Sequence, residues 1–269
     1  MIFEPLRKIF RSTAPQADMP CVPDGQRYYV VGDIHGRLDL LEKLADAIED
    51  DDRRAGTAET TVVLLGDLVD RGPESAGVLR FAREWQARRL VRILAGNHEE
   101  MFLESFVDQE VLRHFLKHGG RETILSYGIP RSEFNGLSMD ELFEKLPELV
   151  PQIDRDFMMG FEELIVAGDY AFVHAGIDPT RPLDQQKRRD MLWIRDRFLR
   201  HEGALPKVIV HGHTIFDEVH DCGNRIGIDT GAFRSGILTA LVLEGDRRRT
   251  IQSVEVEDRI VIENEGVAA

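Results

Sequence analysis

Short hydrophobic runs recur along the chain, and five of them end in a cluster of polar residues. The runs, each of the length of a buried strand, are residues 28–31, 61–65, 91–95, 171–173 and 208–210. The clusters that follow are residues 32–36 (GDIHG), 66–72 (GDLVDRG), 96–99 (GNHE), 174–176 (HAG) and 211–214 (HGHT). An α/β sheet gathers such residues beyond the carboxyl ends of its strands. Because the clusters supply oxygen and imidazole ligands, they predict a two-metal site.

The first third of the chain alternates between strand and helix patterns. Helical spacing covers residues 38–48, an acidic, glycine-containing loop is predicted at 49–59, and a strand follows at 61–65. A helix is expected from Pro73 to about residue 88, before a strand at 90–95. This order predicts a parallel sheet.

The rest of the chain is first helical and then rich in strands. Residues 99–160 are predicted to form a helical insert that covers the site. A hairpin is predicted at 162–174, turning at Gly168 and Asp169, and a helix at 185–200. Five strands are expected at 207–211, 215–220, 225–229, 237–243 and 249–255.

Length and composition indicate a globular protein with one large domain. Its 269 residues suffice for a sizeable core, and we assign 1–26 to an N-terminal extension, 27–260 to the domain and 261–269 to a C-terminal tail. The net charge of −14 argues against nucleic-acid partners, although bound metals would still attract phosphorylated substrates. No apolar run has the length of a membrane span, and the N-terminus does not resemble a signal peptide. Cys21 and Cys222 are expected to be reduced thiols, so a cytoplasmic location is predicted.

The five clusters, in this order, closely resemble the calcineurin-like metallophosphoesterases. More narrowly, they are similar to the phosphoprotein phosphatase family, including its bacterial and phage members, from about residue 28 to 243. Residues 119–128 (GGRETILSYG) and 227–232 (GIDTGA) also resemble segments of bacterial members. The resemblance implies an α/β fold of two facing mixed β-sheets flanked by helices.

The resemblance also implies the metal ligands. Asp67 would bridge two divalent cations, with Asp33 and His35 completing the first site. The second site would be completed by Asn97, His174 and His213. Imidazole and oxygen ligands without thiolate suit Mn, the leading choice, and also Fe, Zn, Co or Ni. His211 is left open as a direct ligand or a neighbour of the site.

Catalytic roles follow from the same comparison. His98 would protonate the leaving oxygen, and Asp70 would orient His98. Arg71 would bind the phosphate through its planar guanidinium. For a second arginine the resemblance favours Arg195, with Arg197 as the alternative.

The predicted function is hydrolysis of phosphomonoesters by a metal-activated water, in the manner of serine/threonine protein phosphatases. Its substrates would be phosphorylated proteins or small phosphoesters. One alternative is a dinucleoside polyphosphate hydrolase similar to the diadenosine tetraphosphatases, which usually carry Ala, Asp and Trp where this chain has Asp70, Glu99 and Thr214. Another is an inactive binding module, which would have lost a ligand or the acid, and none is lost.

Overall fold

Two β-sheets face each other in the computed structural model, which describes residues 19–266. Both sheets are mixed and have helices on their outer sides, so the predicted α/β class and architecture are confirmed. Most of the predicted N-terminal extension, residues 1–18, lies outside the described residues.

The first sheet joins the beginning of the domain to its end. Its strands are β1 (Gln26–Val31), β2 (Glu59–Leu64), β3 (Val91–Ile93), β9 (Ile237–Glu244), β10 (Arg247–Val256) and β11 (Arg259–Gly266). They lie in the order β11–β10–β9–β1–β2–β3. As predicted, β1, β2 and β3 are parallel, whereas β9 pairs with β1 in the antiparallel direction.

The second sheet contains the strands in between. They are β4 (Ile165–Ala167), β5 (Tyr170–Val173), β6 (Val208–His211), β7 (His220–Asp221) and β8 (Arg225–Gly227), in the order β4–β5–β6–β8–β7. The predicted hairpin forms between β4 and β5, and β5, β6 and β8 run parallel.

The helices divide into three groups by position in the chain. The crossovers of the first sheet are α1 (Leu38–Ala55) and α2 (Ser75–Gln86). The insert contains α3 (Asn97–Glu104), α4 (Gln109–Phe115), a π-helical turn (Leu116–Gly120), α5 (Arg121–Ser126), α6 (Arg131–Gly136), α7 (Met139–Leu149) and α8 (Gln152–Met159). A 3₁₀ turn (Leu183–Gln185), α9 (Arg188–Trp193), α10 (Asp196–Leu199) and α11 (Ala232–Ser235) follow.

Alternating residues of each strand divide the core into layers. Tyr28 and Val30 of β1 pack between the sheets with Phe172 of β5, whereas Tyr29 and Val31 face α1, α2 and the insert. The outer face of the second sheet packs on α9 and α10. This arrangement fixes the two sheets face to face, so their strand ends meet at one edge.

Four predicted boundaries were wrong. Helix α1 continues to Ala55 instead of giving way to a loop after residue 48. The helix expected at 185–200 is divided into α9 and α10. Of the strand expected at 215–220, only His220 lies in β7. The expected C-terminal tail overlaps β11, which extends to Gly266 and pairs with β10.

Among residues 19–266, every helix is too short or too polar to cross a lipid bilayer.

Candidate metal centre

The predicted ligands meet where the two sheets share an edge. Asp33 and His35 follow β1, Asp67 follows β2, and Asn97 opens α3 after β3. The second sheet contributes His174 after β5 and His213 after β6. Each position is a strand's carboxyl end, so the parallel topology brings together residues far apart in sequence.

Ligand atoms of these residues form two groups that share Asp67. Atoms of Asp67, His174 and His213 lie within 4.8 Å of one another, and so do atoms of His35, Asp67 and His98. Nε2 of His174 is 3.4 Å from Oδ1 of Asp67, and Nε2 of His35 is 3.6 Å from its Oδ2. Each carboxylate oxygen of Asp67 therefore faces a different imidazole, as a bridge between two cations requires.

Backbone carbonyls orient two of the imidazoles. Nδ1 of His35 lies 2.8 Å from the carbonyl oxygen of Val69, and Nδ1 of His174 lies 2.8 Å from that of Leu65. With Nδ1–H donated to a carbonyl, Nε2 carries the free lone pair that a metal needs.

Asp33 and Asn97 lie beside the two groups. The Asn97 side-chain oxygen is 2.7 Å from Nδ1 of His213 and 3.1 Å from Nε2 of His174. Asp33 accepts a hydrogen bond from the backbone N–H of His213 through Oδ2. Its buried Oδ1, like Nε2 of His213, has no hydrogen-bond partner among residues 19–266. Leaving a polar atom buried without a partner costs free energy. Because both atoms carry lone pairs that can coordinate a metal, Asp33 and His213 fit a cation site.

Two glycines let the backbone approach the carboxylates. A β-carbon at Gly96 would lie 2.2 Å from Oδ1 of Asp67, and one at Gly212 would lie 2.0 Å from Oδ1 of Asp33. Both distances are far below van der Waals contact. The glycines of GNHE and HGHT are therefore required by the packing of neighbouring loops around the carboxylates.

Burial keeps the ligand imidazoles neutral. It lowers the pKa of His35 to about 3 and that of His213 to about 2. Burial also lowers the pKa of His174. Neutral imidazole is the form that binds metals, so these histidines are ready for cations at pH 7.

The carboxylates, in contrast, crowd one another. Burial raises the pKa of Asp33 well above its usual range, and the charges of Asp229 and Asp67 add to this effect. Burial opposes ionisation of Asp67 too, but the surrounding histidines, His174 first among them, bring its pKa well below the usual range. Clustered negative charge of this kind is relieved by divalent cations.

Glu99 joins the loops after β2 and β3 without reaching the ligand atoms. Its buried carboxylate accepts backbone hydrogen bonds from Asp67, Leu68, Val69 and Gly96 over 2.8–3.2 Å. These four hydrogen bonds to one carboxylate hold the backbone around Asp67 in place.

His98, Asp70 and Arg71 form a connected set beside the ligands. Nδ1 of His98 is 2.5 Å from Oδ2 of Asp70, and Nε2 of His98 is 3.0 Å from Arg71 Nη2. Burial opposes the charged imidazolium, but Asp67 and Asp70 outweigh it and raise the pKa of His98. Nε2 of His98 and the Arg71 guanidinium thus lie side by side, where a single phosphoester could contact both.

The two candidate arginines differ in availability. Arg197 Nη2 lies 2.7 Å from Asp178 Oδ1 and 3.0 Å from the Thr180 hydroxyl. Arg195 is exposed between α9 and α10. Burial lowers the pKa of the candidate ligand His174, and the positive charge of Arg195 adds to this effect. Arg197 thus already has an acidic partner, which leaves Arg195 as the preferred candidate.

His211 is buried and belongs to neither group of candidate ligand atoms. Its ring packs edge-on against Phe198 and Phe216, and its Nδ1 is 3.0 Å from the Gly212 carbonyl. Burial lowers its pKa to about 4. These contacts favour the interpretation of His211 as a neighbour of the site.

Sequence reasoning missed two residues of the site. Asp229 is buried, and its pKa is raised to about 6 by burial and by Asp67. It lies two residues after β8, so the pattern of strand and acidic residue could have identified it. The Phe233 ring packs 4.6 Å from the Arg71 guanidinium carbon and edge-on against His35. No pattern in the sequence marks Phe233.

Comparison with known proteins identifies the family of this chain. The model of the calcineurin-like phosphoesterase family matches residues 26–234. This range contains every ligand candidate and both candidate arginines.

Individual relatives carry two kinds of name. Serine/threonine-protein phosphatase 2 of Escherichia coli is 28% identical over 226 residues, which cover 78% of this chain and 90% of that protein. An asymmetrical bis(5'-nucleosyl)-tetraphosphatase of Bacillus velezensis is also 28% identical, covering 79% of this chain and 87% of that protein. Among solved structures, a point mutant of a cold-active protein tyrosine phosphatase superposes with a TM-score of 0.55 at 19% identity, covering 91% of this chain and 83% of that one. Overall identity therefore does not separate the substrate classes.

Proposed function

The chain belongs to the calcineurin-like phosphoesterase family, and within that family we propose that it hydrolyses phosphomonoesters in the manner of serine/threonine protein phosphatases. The observation that carries this substrate class is the contact between Nδ1 of His98 and Oδ2 of Asp70. A serine or threonine alkoxide is a poor leaving group and needs a proton as the P–O bond breaks. A dinucleoside polyphosphate instead releases a nucleotide phosphate, which needs protonation less.

The family uses divalent metal ions, and the candidate ligands fit two of them. Asp67 would bridge, Asp33 and His35 would complete one site, and the second would be completed by Asn97, His174 and His213. The neutral imidazoles and the unpartnered Oδ1 of Asp33 support this assignment. We propose Mn as the metal, because nitrogen and oxygen ligands without thiolate suit it. When bound, the cations activate a water molecule and offset phosphate charge.

His98 is the proposed general acid. Asp70 holds its Nδ1, so Nε2 points toward Arg71 and the bridging carboxylate, 3.9 Å from Oδ2 of Asp67. In the protonated imidazolium Nε2 carries the second proton. As the bond between phosphorus and the leaving oxygen breaks, that oxygen takes the proton, and His98 becomes neutral.

Two arginines are proposed to hold the phosphate. Arg71 supplies a planar fork from the loop after β2, with the Phe233 ring against its face. Arg195 supplies the second from the junction of α9 and α10, because Arg197 is already held by Asp178. Positive charge on two sides of the site counters the charge that grows on the transferred group.

The test is a comparison of two substrates with the Mn-loaded protein. We expect kcat/KM to be higher for a phosphoserine peptide than for diadenosine tetraphosphate. Asp70→Ala should lower activity on the phosphopeptide more than on the dinucleotide, because only the former depends on a well-oriented acid. A preference for diadenosine tetraphosphate in the unaltered protein would overturn the proposed substrate class and leave the family assignment intact.

A further inference from the structure

The helical insert contacts the catalytic loop at a segment to which no chemistry has yet been assigned. Residues 119–128 contribute no metal ligand and no charged group to the site. Nevertheless, two hydroxyl side chains of α5 contact this region, Thr123 the loop between β2 and α2 and Ser126 the first turn of α2. They are three residues apart and lie on the same face of the helix.

Thr123 contacts Asp70 at two atoms. Its hydroxyl accepts a hydrogen bond from the Asp70 backbone N–H at 2.8 Å and donates one to Oδ1 of Asp70 at 2.6 Å. The Ser75 hydroxyl lies 3.0 Å from the Thr123 hydroxyl and shares the same N–H. All three side chains are fully buried. Water therefore cannot readily replace the threonine hydroxyl.

The two oxygens of Asp70 then have different partners. Oδ1 is held by Thr123, and Oδ2 is 2.5 Å from Nδ1 of His98. Asp70 also has a positive φ of 74°, a conformation that non-glycine residues adopt only when their surroundings hold it. Without the threonine hydroxyl, Oδ1 would be buried without this partner, and the carboxylate could rotate about its terminal torsion.

We propose that Thr123 is a positioning residue for catalysis: its hydroxyl fixes the orientation of the Asp70 carboxylate, and through it the direction of His98 Nε2 toward the leaving oxygen. This inference rests on the proposed function, in which His98 is the general acid. It gives the insert a catalytic purpose, since α5 brings a hydroxyl to Asp70 from 53 residues further along the chain.

Thr123→Val tests the inference because valine keeps the shape of threonine and removes the hydroxyl. We measure kcat and KM with saturating Mn on p-nitrophenyl phosphate, whose phenolate leaves easily, and on a phosphoserine peptide. We expect kcat on the peptide to fall on the order of tenfold or more, within the range of general-acid effects, with KM little changed. The loss on the aryl phosphate should be clearly smaller. Thr123→Ser should restore most of the activity on the peptide.

Ser126→Ala is the matched control. Ser126 joins the same helix to the first turn of α2, directly after that loop, through the Ala76 backbone N–H at 3.0 Å and has no hydrogen bond to Asp70. A general loosening of this contact would give Ser126→Ala the same leaving-group dependence as Thr123→Val. That result would overturn the inference, and so would equal losses of Thr123→Val on both substrates or a Thr123→Ser variant as slow as the valine variant.

His98→Asn separates failure of this inference from failure of the proposed function. If His98→Asn distinguishes the two substrates and Thr123→Val does not, the positioning role is wrong and the general acid stands. If His98→Asn slows both equally, the proposed acid is wrong and the role of Thr123 falls with it. Should the valine variant fail to fold, by circular dichroism and melting temperature, Thr123→Ala is measured in the same comparison.

Discussion

Backbone strain at single residues is concentrated around the candidate metal centre. Five of the six non-glycine residues with positive φ among residues 19–266 belong to it: His35, Asp67, Asp70, Arg71 and His213. Each such conformation costs about 1–3 kcal/mol unless the surroundings compensate. At Asp70 the compensation comes from Thr123 and Ser75, and at Arg71 from the Gly119 carbonyl at 3.1 Å. These residues direct side chains that a relaxed backbone would point elsewhere.

Asp70→Asn should change the pH dependence of catalysis without removing metal. The Asp70 carboxylate helps Asp67 raise the pKa of His98, so its loss should lower that pKa. A general acid must be protonated, and activity on a poor leaving group falls as pH rises through its pKa. The alkaline limb of kcat for a phosphoserine peptide should therefore move to lower pH in Asp70→Asn. Kinetic pH profiles of both proteins measure the shift.

Metal analysis is the necessary companion of that experiment. If Asp70→Asn retains both cations and its alkaline limb stays in place, Asp70 does not act through His98. If a cation is lost instead, Asp70 is a ligand and our ligand set is incomplete.

Whole elements were predicted well where a repeating pattern defined them. Strands β1, β2, β5 and β6 carry continuous hydrophobic runs, because buried parallel strands have two covered faces. Helix α1 extends beyond its hydrophobic pattern, because Asp50 forms ion pairs with Arg53 and Arg54 in the last turns. The helix ends before Gly56, which has a φ of 90°. The break at Arg195 depends on tertiary packing and leaves no local pattern.

The site was predictable to a different extent. Its six candidate ligands follow strands and match a family motif, so these residues could be proposed from the sequence alone. Thr123 and Phe233 act on residues far away in the chain, and only the fold brings them there. The strand expected at 215–220 was also wrong because of tertiary structure. A strand forms only where it pairs with a neighbour, and here only His220 and Asp221, which form β7, pair with β8.

Two glycines of the insert allow a matched prediction at the level of this element. Gly119 and Gly128 have φ values of 111° and 90°, so alanine strains the backbone at either position by roughly 1 kcal/mol. A β-carbon at Gly119 would also lie 2.7 Å from Cγ of Arg71, whereas one at Gly128 would meet nothing within 4 Å. Gly119→Ala should therefore raise KM and lower kcat/KM through Arg71, and Gly128→Ala should leave both near the parent values. Similar kinetics for the two variants would contradict a role of Gly119 in holding Arg71.

At the scale of the whole molecule, the candidate metal centre lies at the edge shared by the two sheets. Four candidate ligands come from loops of the first sheet and two from loops of the second. The negative side chains Asp33, Asp67 and Asp229 are buried there together. Cations at this edge should therefore join the sheets as well as serve the chemistry.

Removing the metal should weaken both activity and stability. We expect a chelator to abolish hydrolysis and Mn to restore it. A cation that binds only the folded state at 100 times its Kd adds about 2.7 kcal/mol, so Mn should raise the melting temperature by about 5 °C or more. His174→Ala should reduce this increase, and His220→Ala, at an exposed histidine of β7, should not. Full activity and an unchanged melting temperature in chelator would contradict the ligand set.

The position of β9 has a consequence for the order in which the protein is synthesised. β9 is one of the last strands in the sequence, yet it pairs with β1, one of the first, in the middle of the first sheet. His213 leaves the ribosome 180 residues after Asp33, and β9 follows later still. A nascent chain that already carries all six candidate ligands therefore still exposes the edge of β1. The first sheet can be completed only after β9 has been synthesised, and until then that open edge is the part that a chaperone would need to shield.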